Sequence, residues 1–177
     1  MEQQELDLKL KKIKAIITDI DGVLTNGCVG YGADDFIKFF NYRDGHWIKM
    51  AMREGILVGF LSGRQSRANA KRAAELGVSF CLEDIKDKRS GFLEVLEKYQ
   101  LAPEECLYIG DDIIDLPVLL QVGVPVTPAD GLEFFEQELP LWRTSRAGGC
   151  GVLQEVIERL LRVQGLWDKA LARYRNV

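Results

Sequence analysis

The chain has 177 residues, 47% of them hydrophobic, and a net charge of −4 spread without a long basic run. That is enough for one well-formed core, expected as a single domain over residues 1–177, and it argues against nucleic acid or an anionic membrane as partner. No apolar run approaches a membrane span, and the amino terminus, MEQQELDLKLKK, lacks the apolar core of a leader. Cys28, Cys81, Cys106 and Cys150 form no CxxC pair and mostly neighbour apolar residues. They read as buried free thiols of a reducing compartment, so a cytoplasmic location is expected.

The first predicted element is the apolar run in which Ile13, Ala15, Ile16 and Ile17 suit a strand covered on both faces. It stops at Asp19-Ile20-Asp21-Gly22. Two carboxylates therefore stand at a strand's carboxyl end, the edge where open parallel sheets bind ligands. Held so close, they repel unless a cation or a shared proton relieves them, which points to a metal site or an acid/base pair. Turn and capping duty is the plain alternative.

Over residues 28–40, Gly30, Gly32 and an Ala33-Asp34-Asp35 turn separate two β-prone pieces. They predict a β-hairpin whose Val29, Tyr31, Phe36, Ile37, Phe39 and Phe40 either fold onto the domain or pack against another subunit. Asp44 is placed to cap a helix that runs to Arg53 and ends at Gly55. Residues 56–61, ILVGFL, read as a second buried strand that leads into Ser62-Gly63-Arg64. A helix over about 66–76 closes at Gly77, VSFCL is a short strand, and Asp87 opens a helix to Tyr99. CLYI is a strand ending at Gly110-Asp111-Asp112, and VPVT another after a short helix. The stretch through Trp142 is less regular; beyond the glycine-rich AGGCG loop come an amphipathic helix, Val152–Val163, and a helical piece ending at Tyr174.

Strands alternating with helices in this way predict a doubly wound α/β sandwich with a mostly parallel central sheet between helices. Right-handed crossovers then bring the strands' carboxyl ends to one edge. That edge collects Asp19, Asp21, Ser62, Asp111 and Asp112, with Lys88 in reach at a helix start and Asp115 closing the second acidic cluster. The set fits phosphoryl transfer through a phospho-aspartate, because a phosphoester dianion approaches carboxylates only where cations neutralise them. Mg²⁺ held by Asp19, the Asp21 backbone carbonyl and Asp111 would supply most of that charge, and Lys88 one more. Ser62 would donate to the phosphoryl oxygens, Asp19 attack phosphorus, and Asp21 serve as general acid and then base.

In order, DIDGVLT, the strand ending at Ser62, Lys88 and GDDIID match the four motifs of the haloacid dehalogenase superfamily of phosphatases. Within it, FNYRDGHWIK, SGR, GDDIIDLPVL and AGGCGVLQEV resemble the 3-deoxy-D-manno-octulosonate 8-phosphate phosphatase group, which helps make the lipopolysaccharide inner-core sugar. The resemblance implies a Rossmann-like fold with Asp19 as nucleophile and Asp21 as acid/base. Asp19, Asp21 and Asp111 would be the Mg²⁺ ligands, and Ser62 and Lys88 the phosphate contacts. Asn41, Arg43, Asp44, Gly45, Lys49, Arg64 and Arg72 fall where this group approaches its sugar acid phosphate. It implies a homotetramer in which one subunit's hairpin roofs a neighbour's site. The short spans between motifs leave no room for the cap domain of larger relatives, so the hairpin is the expected lid.

Two positions depart from the group's pattern. Trp47 stands where a small residue is usual, and Cys150 where some members place an arginine. Related phosphatases act on nine-carbon, sialic-acid-type 9-phosphates, and that substrate is the alternative. A receiver-like signalling module, or an assembly subunit without activity, is the non-catalytic alternative. Asp112 and Asp115 also suit capping at a helix start, or support behind the metal, with Asp112 as a candidate to orient Lys88. Arg43, Lys49, Arg64 and Arg72 read equally well as solvated surface residues. His46 lacks a partner for a metal or a triad.

Overall fold

The fold is described from a computed structural model covering residues 1–33 and 36–175. Asp34 and Asp35, the centre of the expected hairpin turn, lie outside the described residues. In chain order the elements are α1 (Gln3–Leu10), β1 (Ala15–Thr18), β2 (Gly30–Tyr31), β3 (Phe36–Ile37), α2 (Tyr42–Arg53), β4 (Leu57–Leu61), α3 (Arg67–Leu76) and β5 (Phe80–Leu82). They continue with α4 (Lys88–Tyr99), β6 (Cys106–Ile109), α5 (Leu116–Leu119), β7 (Val124–Thr127), α6 (Phe135–Glu138), β8 (Trp142–Arg143), α7 (Val152–Val163) and α8 (Trp167–Arg175).

Six strands form one sheet in the order β5-β4-β1-β6-β7-β8, every neighbouring pair parallel. The short ladder of β2 and β3 is a separate antiparallel hairpin. No cap domain is seen among the described residues, and no helix there is long and apolar enough to cross a membrane.

The strands are covered on both faces, which is why they read as continuous apolar runs rather than alternating ones. Ile16, Val58, Phe60, Leu107 and Ile109 point into one layer with residues of α1, α2, α3, α7 and α8. Ala15, Ile17, Leu61, Cys106 and Tyr108 point into the other, against Phe92 and Val95 of α4, Val118 and Leu119 of α5, and Phe135 of α6. The chain winds outward from β1 through β4 to β5, then returns to β6 on the other side of β1. A crevice opens where the winding reverses, beyond the carboxyl ends of β4, β1 and β6.

Several local expectations shift. α1, which buries Leu6 and Leu10, and the short strand β8 have too few apolar residues to announce themselves. The side chain of Asn41, not Asp44, caps α2, accepting from Arg43 N at 2.9 Å. Of the four cysteines only Cys106 is buried; Cys81 is partly covered, and Cys28 and Cys150 lie exposed in loops whose apolar neighbours turn inward without them.

Candidate active site

β1 delivers Asp19 directly: its backbone N–H still bonds to Ile109 O at 2.9 Å, extending the ladder one residue past the strand. β4 delivers Ser62 in the same way, through Ser62 N to Leu82 O at 2.8 Å, and β6 delivers Gly110 and Asp111. The cleft between these ends has a volume of about 290 Å³ and is lined by Asp19, Asp21, Ser62, Arg64, Asp111 and Asp112, among others.

Lys88, first residue of α4, lies under its floor, fully buried. Its Nζ stands 2.7 Å from Asp19 Oδ2 and 2.6 Å from Asp115 Oδ1. Burial disfavours the ammonium, but the two carboxylates outweigh it and hold Lys88 above its usual range. Asp115 is saturated. Oδ1 accepts from Lys88 and from Tyr108 Oη (2.5 Å), and Oδ2 from the N–H groups of Asp111 (3.0 Å) and Asp112 (3.2 Å). The residue expected to orient Lys88 is thus corrected from Asp112 to Asp115. Asp112 is exposed and caps the following turn, accepting from Ile113 N at 2.7 Å.

Oxygens of Asp19, Asp111 and Asp115 lie within 4.8 Å of one another. Because four donors already occupy Asp115, the lone pairs left for a cation belong to Asp19 and Asp111. Asp111 Oδ1 is buried without a hydrogen-bond partner. Burial, then the charges of Asp115 and Asp19, pushes the Asp111 carboxyl up to about 8. Burial and Asp115 push Asp19 up to about 6 against the pull of Lys88. Such crowding fits a hard, oxygen-seeking divalent cation such as Mg²⁺. Gly22 makes the approach possible: its φ is +87°, and a Cβ there would sit 1.9 Å from Asp111 Oδ2.

Ser62 is buried, its hydroxyl donating to Arg64 O at 2.9 Å and accepting from Arg64 N at 3.2 Å. Arg64 reaches over the cleft, Nε 4.0 Å from Asp21 Oδ2. The other sequence candidates do not line this cleft. Asp44 is buried, and its Oδ1 accepts from Gln154 N at 2.9 Å, tying α2 to the start of α7. Arg72 donates to Asn41 O at 3.1 Å, in space that Gly45 leaves open: a Cβ there would sit 2.5 Å from Arg72 Nη2. Asn41 Nδ2 donates to Gly149 O at 3.2 Å, so this segment braces the glycine-rich loop. Arg43 and Lys49 are exposed on α2. Trp47 faces away, stacked on Trp167 of α8 with centroids 5.8 Å apart, and the exposed Cys150 accepts from Arg146 through its carbonyl.

One site residue escaped the sequence reading. Lys38, just past β3, stands 2.7 Å from Asp21 Oδ1, 2.8 Å from Oδ2 and 2.9 Å from Asn69 Oδ1. The available signal was alternation: Ile37 and Phe39 face outward, which turns Lys38 inward with Phe36 and Phe40.

A haloacid dehalogenase-like hydrolase family model matches residues 43–123. The chain is 37% identical over 163 residues, 92% of its length and 86% of the relative's, to the 3-deoxy-D-manno-octulosonate 8-phosphate phosphatase KdsC of Escherichia coli K12. A crystal structure of the phosphatase of that name from Yersinia pestis superposes with a TM-score of 0.89 at 32% identity, covering 93% of this chain and 89% of that one. The Moraxella catarrhalis phosphatase, in complex with magnesium ion, phosphate ion and a KDO molecule, superposes with a TM-score of 0.92 at 29% identity, covering 98% and 99%. With the motif order, the capless fold and this extent of likeness in agreement, the chain belongs to the 3-deoxy-D-manno-octulosonate 8-phosphate phosphatase family of haloacid dehalogenase-like hydrolases.

Proposed function

We propose that this protein hydrolyses 3-deoxy-D-manno-octulosonate 8-phosphate to the free sugar acid and phosphate, as a step in lipopolysaccharide core sugar biosynthesis. The observation that carries the reading is the convergence of Asp19, Lys88 and Asp111 beyond adjacent parallel strands, on a chain 37% identical to a phosphatase of that substrate. Mg²⁺, held by Asp19, Asp111 and the Asp21 carbonyl, would offset the charge of the phosphoester when bound.

Asp19 attacks phosphorus and the bond from phosphorus to the sugar oxygen breaks, that oxygen taking a proton from Asp21. Water then attacks the acyl phosphate, gives a proton to Asp21, and restores the Asp19 carboxylate as phosphate leaves. Lys88 neutralises Asp19 between turnovers and keeps its attacking oxygen aimed. Ser62, once its hydroxyl turns from Arg64 O, and the Gly63 amide after it receive the phosphoryl oxygens. Arg64, at the cleft mouth, suits the substrate's carboxylate.

Arg43 and Lys49 are exposed on α2 and do not line this cleft, and Tyr31 and Phe39 are 83% and 81% exposed on the hairpin side. Both facts support a homotetramer in which a neighbour's hairpin and α2 complete the pocket. We assign residues 1–177 to one domain acting in the cytoplasm, where free thiols persist.

The test is phosphate release from a panel of sugar phosphates with Mg²⁺ or chelator, alongside Asp19→Asn. Metal-dependent release from the octulosonate phosphate, lost in the variant, is expected. Release from nine-carbon acid phosphates alone would keep the mechanism and change the substrate. A folded protein inactive on all of them would overturn the reading in favour of a receiver-like or assembly role.

A further inference from the structure

Lys38 is an unusual residue to find where it is. A lysine ammonium is strongly hydrated and almost never fully covered unless paired, yet the Lys38 side chain is 0% exposed. It comes from the hairpin, outside the central sheet, and its contacts are with the cleft of its own subunit. Both oxygens of Asp21 lie within 2.8 Å of Nζ, and the fully buried Asn69 of α3 accepts from it at 2.9 Å. Asn69 is fixed in turn, its Nδ2 donating to Arg64 O at 3.2 Å and its N–H to Ser66 Oγ at 3.1 Å.

This anchorage separates two kinds of carboxylate. Asp19 and Asp111 share their space with Lys88 and Asp115, the oxygens of the three acids lying within 4.8 Å of one another. Asp21 follows two residues after Asp19 on a partly exposed loop. Without a partner its side chain would be free to turn away from the cleft. Lys38 Nζ hydrogen-bonds Oδ2 and stands at ion-pair distance from Oδ1, which has no hydrogen-bond partner, and it offsets the Asp21 charge toward an incoming dianion.

We infer that Lys38 is a positioning residue that holds the Asp21 carboxyl by Oδ2 and leaves Oδ1 to carry the proton toward the leaving oxygen, so that seating of the hairpin on its own subunit arms the proton transfer. The inference rests on the phosphatase reading above. It differs from a lid role in trans, because it concerns contacts within one chain.

Dependence on the leaving group tests it. A sugar alkoxide needs a proton to depart, whereas the leaving group of p-nitrophenyl phosphate departs as a stable anion. In Lys38→Met, of similar length but without the charge, kcat for the octulosonate phosphate is expected to fall by roughly a hundredfold while that for p-nitrophenyl phosphate falls far less. KM for each should stay within a few-fold, and Lys38→Arg should recover part of the loss. Equal loss on both substrates would show a structural role and overturn the inference. So would a rise in KM with kcat kept, which would make Lys38 a substrate contact. Should Lys38→Met fail to give a cooperative thermal melt, Lys38→Gln, which keeps a donor without the charge, supplies the same ratio. Wild-type protein inactive on both substrates would instead refute the phosphatase reading itself.

Discussion

Replacing Asp115 with asparagine should test the frame under the cleft more sharply than any change to the cleft itself. The two side chains are nearly isosteric, so no cavity opens; only acceptors and charge are lost. If the new amide oxygen keeps the Asp111 and Asp112 N–H groups, its NH₂ faces the Lys88 ammonium at the position now 2.6 Å away. If it turns round, the NH₂ confronts two backbone donors. The first arrangement breaks a buried ion pair and leaves Lys88 with Asp19 alone, at about 3–5 kcal/mol. The second strands two backbone N–H groups at about 1–3 kcal/mol each, so either arrangement leads to a loss of about 2–6 kcal/mol. Urea unfolding followed by circular dichroism reads the loss as a lower midpoint at unchanged slope. Adding salt should not restore it, since a buried pair is poorly screened. A loss below about 1 kcal/mol, or one that salt removes, would refute Asp115 as the anchor of Lys88 and leave it a capping role.

Three further outcomes are expected. Asp111→Asn relieves the crowding of carboxylates, so the variant should melt higher than wild type in chelator and lose the upward shift that Mg²⁺ gives wild type; a shift that persists would place the cation elsewhere. Burial pushes Asp44 up to about 6 from 3.8, so the folded protein holds this proton more tightly than the unfolded chain. Its contribution to stability is therefore full below pH 3.8 and falls as pH rises to about 6. Asp44→Asn, which can still accept from Gln154 N, should gain on wild type across that window by roughly 1–2 kcal/mol, reduced by the helix N-terminus that favours the carboxylate; a parallel pH dependence in the two proteins would contradict this. Trp47→Ala removes the stack on Trp167 and should lower stability by about 1–3 kcal/mol with KM unchanged. A changed KM would put the indole in the pocket after all.

The sequence by itself determined the sheet and the chemistry at its edge. Runs such as Ala15-Ile16-Ile17 and CLYI have only one stable setting, with both faces covered, and the residues that stop them are necessarily at the carboxyl ends. Hence Asp19, Ser62 and Asp111 were legible as neighbours although they are far apart in the chain, and the helix starts near Ser66 and at Asp87 were local enough to read directly. Tertiary structure alone decided which charges meet. Whether Asp112 or Asp115 faces Lys88 depends on one turn of backbone, and that turn is set by the Asp111 and Asp112 N–H groups closing on Asp115. The RDG segment resembled a substrate loop, yet within this chain Asp44, Gly45 and Arg72 spend their contacts bracing α2 against α7 and α3. Lys38 looked like an ordinary charge on a hairpin. Its partners, Asp21 and Asn69, come from separate elements of the chain, and long-range pairing of that kind leaves no local pattern: it exists only once the hairpin is folded against the sheet.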